Sequence, residues 1–316
     1  MTPSEFDSGI AVQCDGDDTM WHGVLDDGWG IHGAINGGIL MAMGANALRQ
    51  MLTEARGHPD PLAFSAYFLS AANAGGVTLL TEQLRTGRTM TTAQVSITQR
   101  GKDGRREEKM RAIGTFGNVK TSELPVLREE PAPAMPPPQE CIGRDNAPEI
   151  LLHTNLMSRM DLRFEPASIG WLQGKPSQQG RMMAWHKLAD GREPDVLSLL
   201  WALDSLPPVA HDLGLVGWTP TLEFTAHIRG HPAPGWLQFV LTTQNVSGGL
   251  MEEDAKIWDS TGRLVALSRQ LCAWRQVPPD THHPAPATAS ITATASATSP
   301  PAAAERTDAE TSAAPA

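Results

Sequence analysis

The sequence is short of the residues from which several common kinds of site are built. Its 316 residues include only three cysteines, Cys14, Cys141 and Cys272. Their number is odd, and they show neither C-x-x-C spacing nor a neighbouring histidine pair, so no disulfide framework and no metal site are expected. Such scarcity points to a reducing compartment. Uncharged apolar runs stay well below the roughly 20 residues that a membrane-spanning helix needs. Positive charge is scarce too: 25 Lys and Arg stand against 35 Asp and Glu, a net charge of −10. That field repels phosphate backbones and argues against a nucleic-acid partner. The first residues, Met1-Thr-Pro-Ser-Glu-Phe-Asp, lack the basic start and apolar core of a secretory signal, and the expected location is the cytoplasm. Also missing are the G-x-S-x-G elbow of serine hydrolases, the G-x-x-x-x-G-K-[ST] phosphate loop and the H-E-x-x-H metal site. No cofactor is expected.

What is present is ordinary globular material, with 41% hydrophobic and 19% charged residues, enough for two domains of common size. Proline divides the chain. Residues 123–155 hold Pro125, Pro131, Pro133 and Pro136-Pro137-Pro138 among charged side chains, which is linker chemistry because proline cannot donate to a helix or sheet ladder. Residues 277–316 are Pro, Ala, Thr and Ser with almost no large apolar side chains. They are expected to form a disordered tail. This leaves residues 1–122 and 156–276 as two domains.

The two halves read alike. Leu62-Ala-Phe-Ser-Ala-Tyr-Phe resembles Leu222-Glu-Phe-Thr-Ala-His-Ile at an offset of 160, and the turn Asp103-Gly104-Arg105 resembles Thr261-Gly262-Arg263 at 158. In the first half, Asn36 is a suitable N-cap for a helix to about Leu52 that is apolar nearly all round and must therefore be enclosed. Four strand-like runs follow, at about 62–70, 76–87, 91–101 and 106–117. The second half has a shorter apolar helix, about Asp195 to Asp204, then runs at about 220–229, 236–246, 250–259 and 264–275. An apolar helix wrapped by an antiparallel sheet is the hotdog architecture, so the expected fold is α+β, a tandem (double) hotdog.

With these elements placed, a set of motifs becomes recognisable. They are Trp29-Gly-Ile-His-Gly-Ala-Ile-Asn36-Gly37-Gly38, Arg85-Thr-Gly87-Arg88, Asp204-x-x-Pro207-Pro208, Pro220-Thr221-Leu222-Glu223 and Asp259-x-x-Gly262-Arg263-Leu-Val-Ala266-x-Ser-x-Gln270. In this order and spacing the sequence resembles the double-hotdog acyl-CoA thioesterases of the bacterial type II kind. The resemblance implies an acyl-CoA substrate and a water held by one Asp, one Thr and one Gln, which fall on Asp204, Thr221 and Gln270.

The residues themselves bear on that assignment. Asp204 ends an apolar helix, where burial and the helix dipole both raise a carboxylate pKa and make it a better base; the plain alternative is a solvated Asp opening a turn before proline. Alternation puts Leu264, Ala266, Ser268, Gln270 and Cys272 on one largely apolar face, so the Gln270 amide points where it needs a partner. The same rule groups Thr221 with Glu223, Thr225 and His227 on a polar face. Carried back by the repeat offsets, Gln270 falls on Ala112 and Thr221 on Pro61, and neither holds a water. One hydrolytic centre per chain is therefore expected, with the helix N-terminus at Asn36-Gly37-Gly38 offering N–H donors to an oxyanion. His22, His32 and His58 lie in turn-rich segments and read as surface groups. The alternative function is a non-catalytic acyl-thioester binding protein of the same fold. Self-association into a homo-oligomer is expected for either.

Overall fold

In the computed structural model, the described residues are 3–274 apart from 17–18, 102, 120–125, 146–153, 216 and 218. The tail expected from residue 277 lies outside them. The first half runs α1 (Glu5–Gly9), β1 (Val12–Cys14), β2 (Met20–Leu25), β3 (Gly30–Ile31), β4 (Ala34–Ile35), α2 (Gly37–Arg56), β5 (Asp60–Phe68), β6 (Gly75–Thr86), β7 (Met90–Arg100) and β8 (Arg106–Gly117). The second runs β9 (Met160–Phe164), β10 (Arg181–Leu188), α3 (Val196–Ala202), β11 (Thr221–Ile228), β12 (Leu237–Thr242), β13 (Val246–Ser247), β14 (Leu250–Trp258) and β15 (Leu264–Ala273). The double hotdog is present, with strands β1, β2, β9 and β10 and the two-residue strands β3, β4 and β13 added beyond the eight expected.

Each central helix has a clear chemical start. Asn36 caps α2 by accepting from the Ile39 N–H at 3.2 Å, and Gly57, at φ 66°, ends it by donating to the Thr53 carbonyl. Asp195 caps α3 in a reciprocal box with Ser198. Ile39, Met41, Ala42, Met43, Ala45, Ala47, Leu48 and Leu52 of α2 are fully buried, and all seven residues of α3 are buried. Such helices hold only where structure encloses them, and the sheet does so. No helix among the described residues is long and apolar enough to cross a membrane.

The enclosing sheet is continuous through both halves. Its order is β1-β2-β6-β7-β8-β5-β11-β15-β14-β12-β10-β9, with β13 on β14. The halves join where β5 pairs antiparallel with β11. Ser65 lies opposite Thr225 there, and the Thr225 hydroxyl donates to the Ser65 Oγ at 3.0 Å. Since these two residues are also repeat mates, the pseudo-two-fold axis passes between them.

Parts that the sequence pattern left blank are packed onto this frame. The side chain of Phe6 in α1 is wholly buried against Trp29 and Trp201, at ring-centroid distances of 6.1 and 5.9 Å, beneath the Arg192 guanidinium. Within the proline-rich stretch, carbonyls of Glu130, Pro133 and Pro136 accept from Trp258 Nε1, Gln238 Nε2 and Trp185 Nε1. His58 is buried rather than at the surface, because its ring bonds to Thr91 Oγ1 and the Arg88 carbonyl while His22 stays exposed.

Candidate active site

The end of α3 meets the beginning of α2. Asp204 lies just past α3, and its Oδ2 accepts from the Gly38 N–H at 2.7 Å and from Asn36 Nδ2 at 3.0 Å; Asn36 Nδ2 also donates to the Asp204 carbonyl at 2.8 Å. The two glycines make this approach possible. A Cβ on Gly37 would lie 2.9 Å from Asp204 Oδ2 and 2.8 Å from the Phe68 ring, and one on Gly38 would lie 2.6 Å from the Trp201 carbonyl oxygen. Burial pushes the Asp204 carboxyl up to about 7, against the opposing pull of the Gly38 and Asn36 donors. At neutral pH this group can take up or release a proton, as a general base must.

Thr221 and Gln270 meet directly. The Thr221 hydroxyl donates to Gln270 Oε1 at 2.7 Å, on the inward face of β15. Strand alternation had placed Thr221 on the outward, polar face, and a β-bulge corrects this. Pairing with β15 slips between Thr221 and Glu223, so Leu222 is the extra residue and Thr221 turns inward to lie opposite Cys272.

A third polar residue, which the motifs did not reveal, completes the cluster. Glu253 of β14 is cross-strand neighbour to Gln270 and only 4% exposed. Its Oε1 accepts from Gln270 Nε2 at 2.6 Å and its Oε2 from the Val209 N–H at 2.7 Å. Burial, then the nearby Asp204 and Asp254 charges, push its carboxyl up as well, to about 7. The Cys272 thiol beside it is raised by burial and by the charges of Glu253 and Asp204, so it stays protonated and is no nucleophile. His186 is also no base. Packed between Trp201 and Phe239, it is held down to about 3 by burial. Among the described residues no group of His, Cys, Asp and Glu is arranged to hold a metal ion. A cleft of about 320 Å³ bordered by Asn46, Arg49, Arg192 and Asp195 opens at the far end of α3 from Asp204.

A buried carboxyl, a Thr–Gln pair and a helix N-terminus thus lie in the second half and at its junction with the first, and comparison with known proteins gives the family. The acyl-CoA thioesterase N-terminal domain matches residues 25–117 and the acyl-CoA thioesterase C-terminal domain matches residues 129–274. The chain belongs to the acyl-CoA thioesterase family. Uncharacterised proteins of Mycobacterium tuberculosis and Mycobacterium bovis are each 30% identical to it over 268 residues, 80% of this chain and 90% of theirs. Among solved structures, a candidate thioesterase II of Thermobifida fusca YX superimposes with a TM-score of 0.75 at 31% identity, covering 86% of this chain and 98% of that one. A hot dog fold protein of unknown function from Alicyclobacillus acidocaldarius has a TM-score of 0.73 at 22% identity, covering 88% and 100%, and shares the fold.

In this chain the polar set occupies one half only. The first half repeats the bulge, between Pro61 and Ala63, so Pro61 stands where Thr221 does. The β7–β8 hairpin is four residues longer than its counterpart between these equivalent pairs, two on each side of the turn, which moves the mate of Gln270 from Ala112, as the turn offset gave, to Gly114. Phe64 faces Gly114 as Phe224 faces Gln270. Ala93 pairs with Gly114 where Glu253 pairs with Gln270. A Cβ on Gly114 would lie 2.6 Å from the Phe116 ring, so that aromatic side chain fills the space that polar groups occupy in the second half.

Proposed function

We propose that this chain hydrolyses acyl-CoA thioesters to a free fatty acid and coenzyme A, using a water activated by Asp204 and positioned by Thr221 and Gln270. The observation that carries the reading is the Asp204 carboxyl, pushed up to about 7 and fixed at the α2 N-terminus. Water oxygen adds to the thioester carbonyl carbon while Asp204 takes its proton, and the tetrahedral oxyanion collapses with cleavage of the carbon–sulfur bond. The coenzyme A thiolate then recovers the proton from Asp204. Asn36 and Gly38 hold the base, and the Ile39 N–H is engaged by the Asn36 side chain. Of the first N–H groups of α2, Gly37 remains to donate to the oxyanion. The Thr221 hydroxyl gives its proton to Gln270, which leaves its lone pairs for the water, and Gln270 Nε2 keeps a second N–H for the same purpose.

Release of coenzyme A thiol, followed with acyl-CoA substrates from short to long chain, tests this. Turnover that rises through a pKa near 7 and is lost in Asp204→Asn is the expected result. Saturable acyl-CoA binding without thiol release at any chain length would replace hydrolysis with the binding-protein reading.

A further inference from the structure

The buried carboxyl of Glu253 has no need to be there for the fold. No Lys or Arg pairs with it among the described residues, and burying an uncompensated carboxylate is unfavourable by several kcal/mol. The repeat shows that a hotdog closes without it: at the mate position the first half has Ala93, opposite Gly114. Alternation sets Glu253 among Met251, Ala255 and Ile257, all buried. An acid on that face, present only in the half that carries Thr221 and Gln270, calls for a chemical reason.

The hydrogen bonds supply one. A glutamine amide can sit in either of two flips, and its neighbours decide which. Both Glu253 oxygens accept, one from Gln270 Nε2 at 2.6 Å and one from the Val209 N–H at 2.7 Å. An acceptor at this point turns the Gln270 NH2 towards β14 and its Oε1 towards Thr221, and Oε1 then draws the Thr221 proton at 2.7 Å. The direction of the whole chain, Thr221 to Gln270 to Glu253, is thus set at Glu253. The second bond ties Val209, which follows Asp204 and Pro207-Pro208, to the same strand, so base and amide share one anchor.

We propose that Glu253 is a positioning residue for thioester hydrolysis, fixing the flip of the Gln270 amide and the placement of the segment after Asp204. This rests on the hydrolase reading above. Without Glu253 the amide is free to turn, the Thr221 hydroxyl loses its acceptor, and the attacking water loses its orientation while the acyl-CoA binding surface is unaltered.

The test uses the full chain and one acyl-CoA substrate, with thiol release and thermal unfolding measured for Glu253→Ala, Glu253→Gln, Gln270→Ala and the Glu253→Ala/Gln270→Ala pair. Misplacement of this order lowers rates by about 10- to 100-fold, so Glu253→Ala should lose that much in kcat with KM within about twofold. Glu253→Gln preserves shape and offers one acceptor oxygen in place of two, and should recover part of the loss. If Glu253 acts through Gln270, the pair should turn over within about threefold of Gln270→Ala alone. Multiplied losses in the pair, or a parental rate in Glu253→Ala or Glu253→Gln while Gln270→Ala is impaired, would overturn the proposal and leave the hydrolase reading standing. Should Glu253→Ala fail to fold, Glu253→Gln carries the comparison, alone and with Gln270→Ala. A parental rate in Gln270→Ala would remove the site itself, and the role of Glu253 with it.

Discussion

Replacing Asp204 with Asn should move stability and activity in opposite directions. An ordinary Asp titrates at 3.8, whereas burial holds Asp204 at about 7. The folded protein therefore binds this proton more tightly than the unfolded chain between about pH 4 and pH 7, and stability falls as pH rises through that window. At about 1.4 kcal/mol per pH unit, the ionised carboxylate destabilises the fold by up to about 4 kcal/mol at pH 8. Asn is neutral at every pH, and its Oδ1 can accept from Gly38 and Asn36 as Asp204 Oδ2 does. The variant should melt above the parent at pH 8, by up to about 8–16 °C at about 2–4 °C per kcal/mol, and the gain should shrink towards zero near pH 4. Losing the base should lower turnover by about 10²–10⁴-fold, or roughly 3–5 kcal/mol of barrier. Calorimetry at pH 4 and pH 8 and single-turnover thiol release check both signs. Parental turnover, or a melting temperature below the parent's at pH 8, would refute the argument that a strained base is held here for its chemistry.

Three further outcomes follow from the geometry. Gly38→Ala drives a Cβ to 2.6 Å from the Trp201 carbonyl and should destabilise by about 1–3 kcal/mol while depressing kcat, as the α2 terminus and Asp204 are forced apart; thermal melts with kinetics would show it. Thr221→Val removes the donor to Gln270 but keeps the shape and should lower kcat at least about tenfold, with Thr221→Ser recovering most of the rate in the same assay. Phe6→Ala empties a fully buried ring site between Trp29 and Trp201 and should lower stability by about 3–5 kcal/mol, read from denaturant midpoints; an unchanged midpoint would mean that α1 is not docked.

Sequence reading found the central helices because they are apolar nearly all round, and four strands per half because their β-rich runs are long and bracketed by turns. It had no purchase on α1, five residues long, nor on the short strands β1 and β9, where packing rather than pattern decides. Alternation puts Thr221 on the wrong face, since a one-residue bulge at Leu222 reverses it and leaves no mark in composition. Glu253 was legible in principle. Within Glu252-Glu253-Asp254 it is the acid in step with Met251, Ala255 and Ile257, and the argument applied to Gln270 would have picked it out. The mate of Gln270 was missed by two residues because hairpin length, not repeat similarity, sets register.

The β5–β11 seam changes what each half is free to become. Taken alone, either half would end in a long strand with its outer backbone groups bare, an edge that pairs with any extended chain it meets. Joining the halves covalently holds the matching edges at an effective concentration in the millimolar range, so each finds its own partner before a stranger arrives. A dimer of two identical hotdogs would have to carry the Thr, Gln and Glu twice or not at all, together with the strain of burying them. Fusion lifts that obligation: one half could give up its polar groups for Pro61, Gly114, Ala93 and Phe116 and become the stable wall against which the other keeps its acids buried.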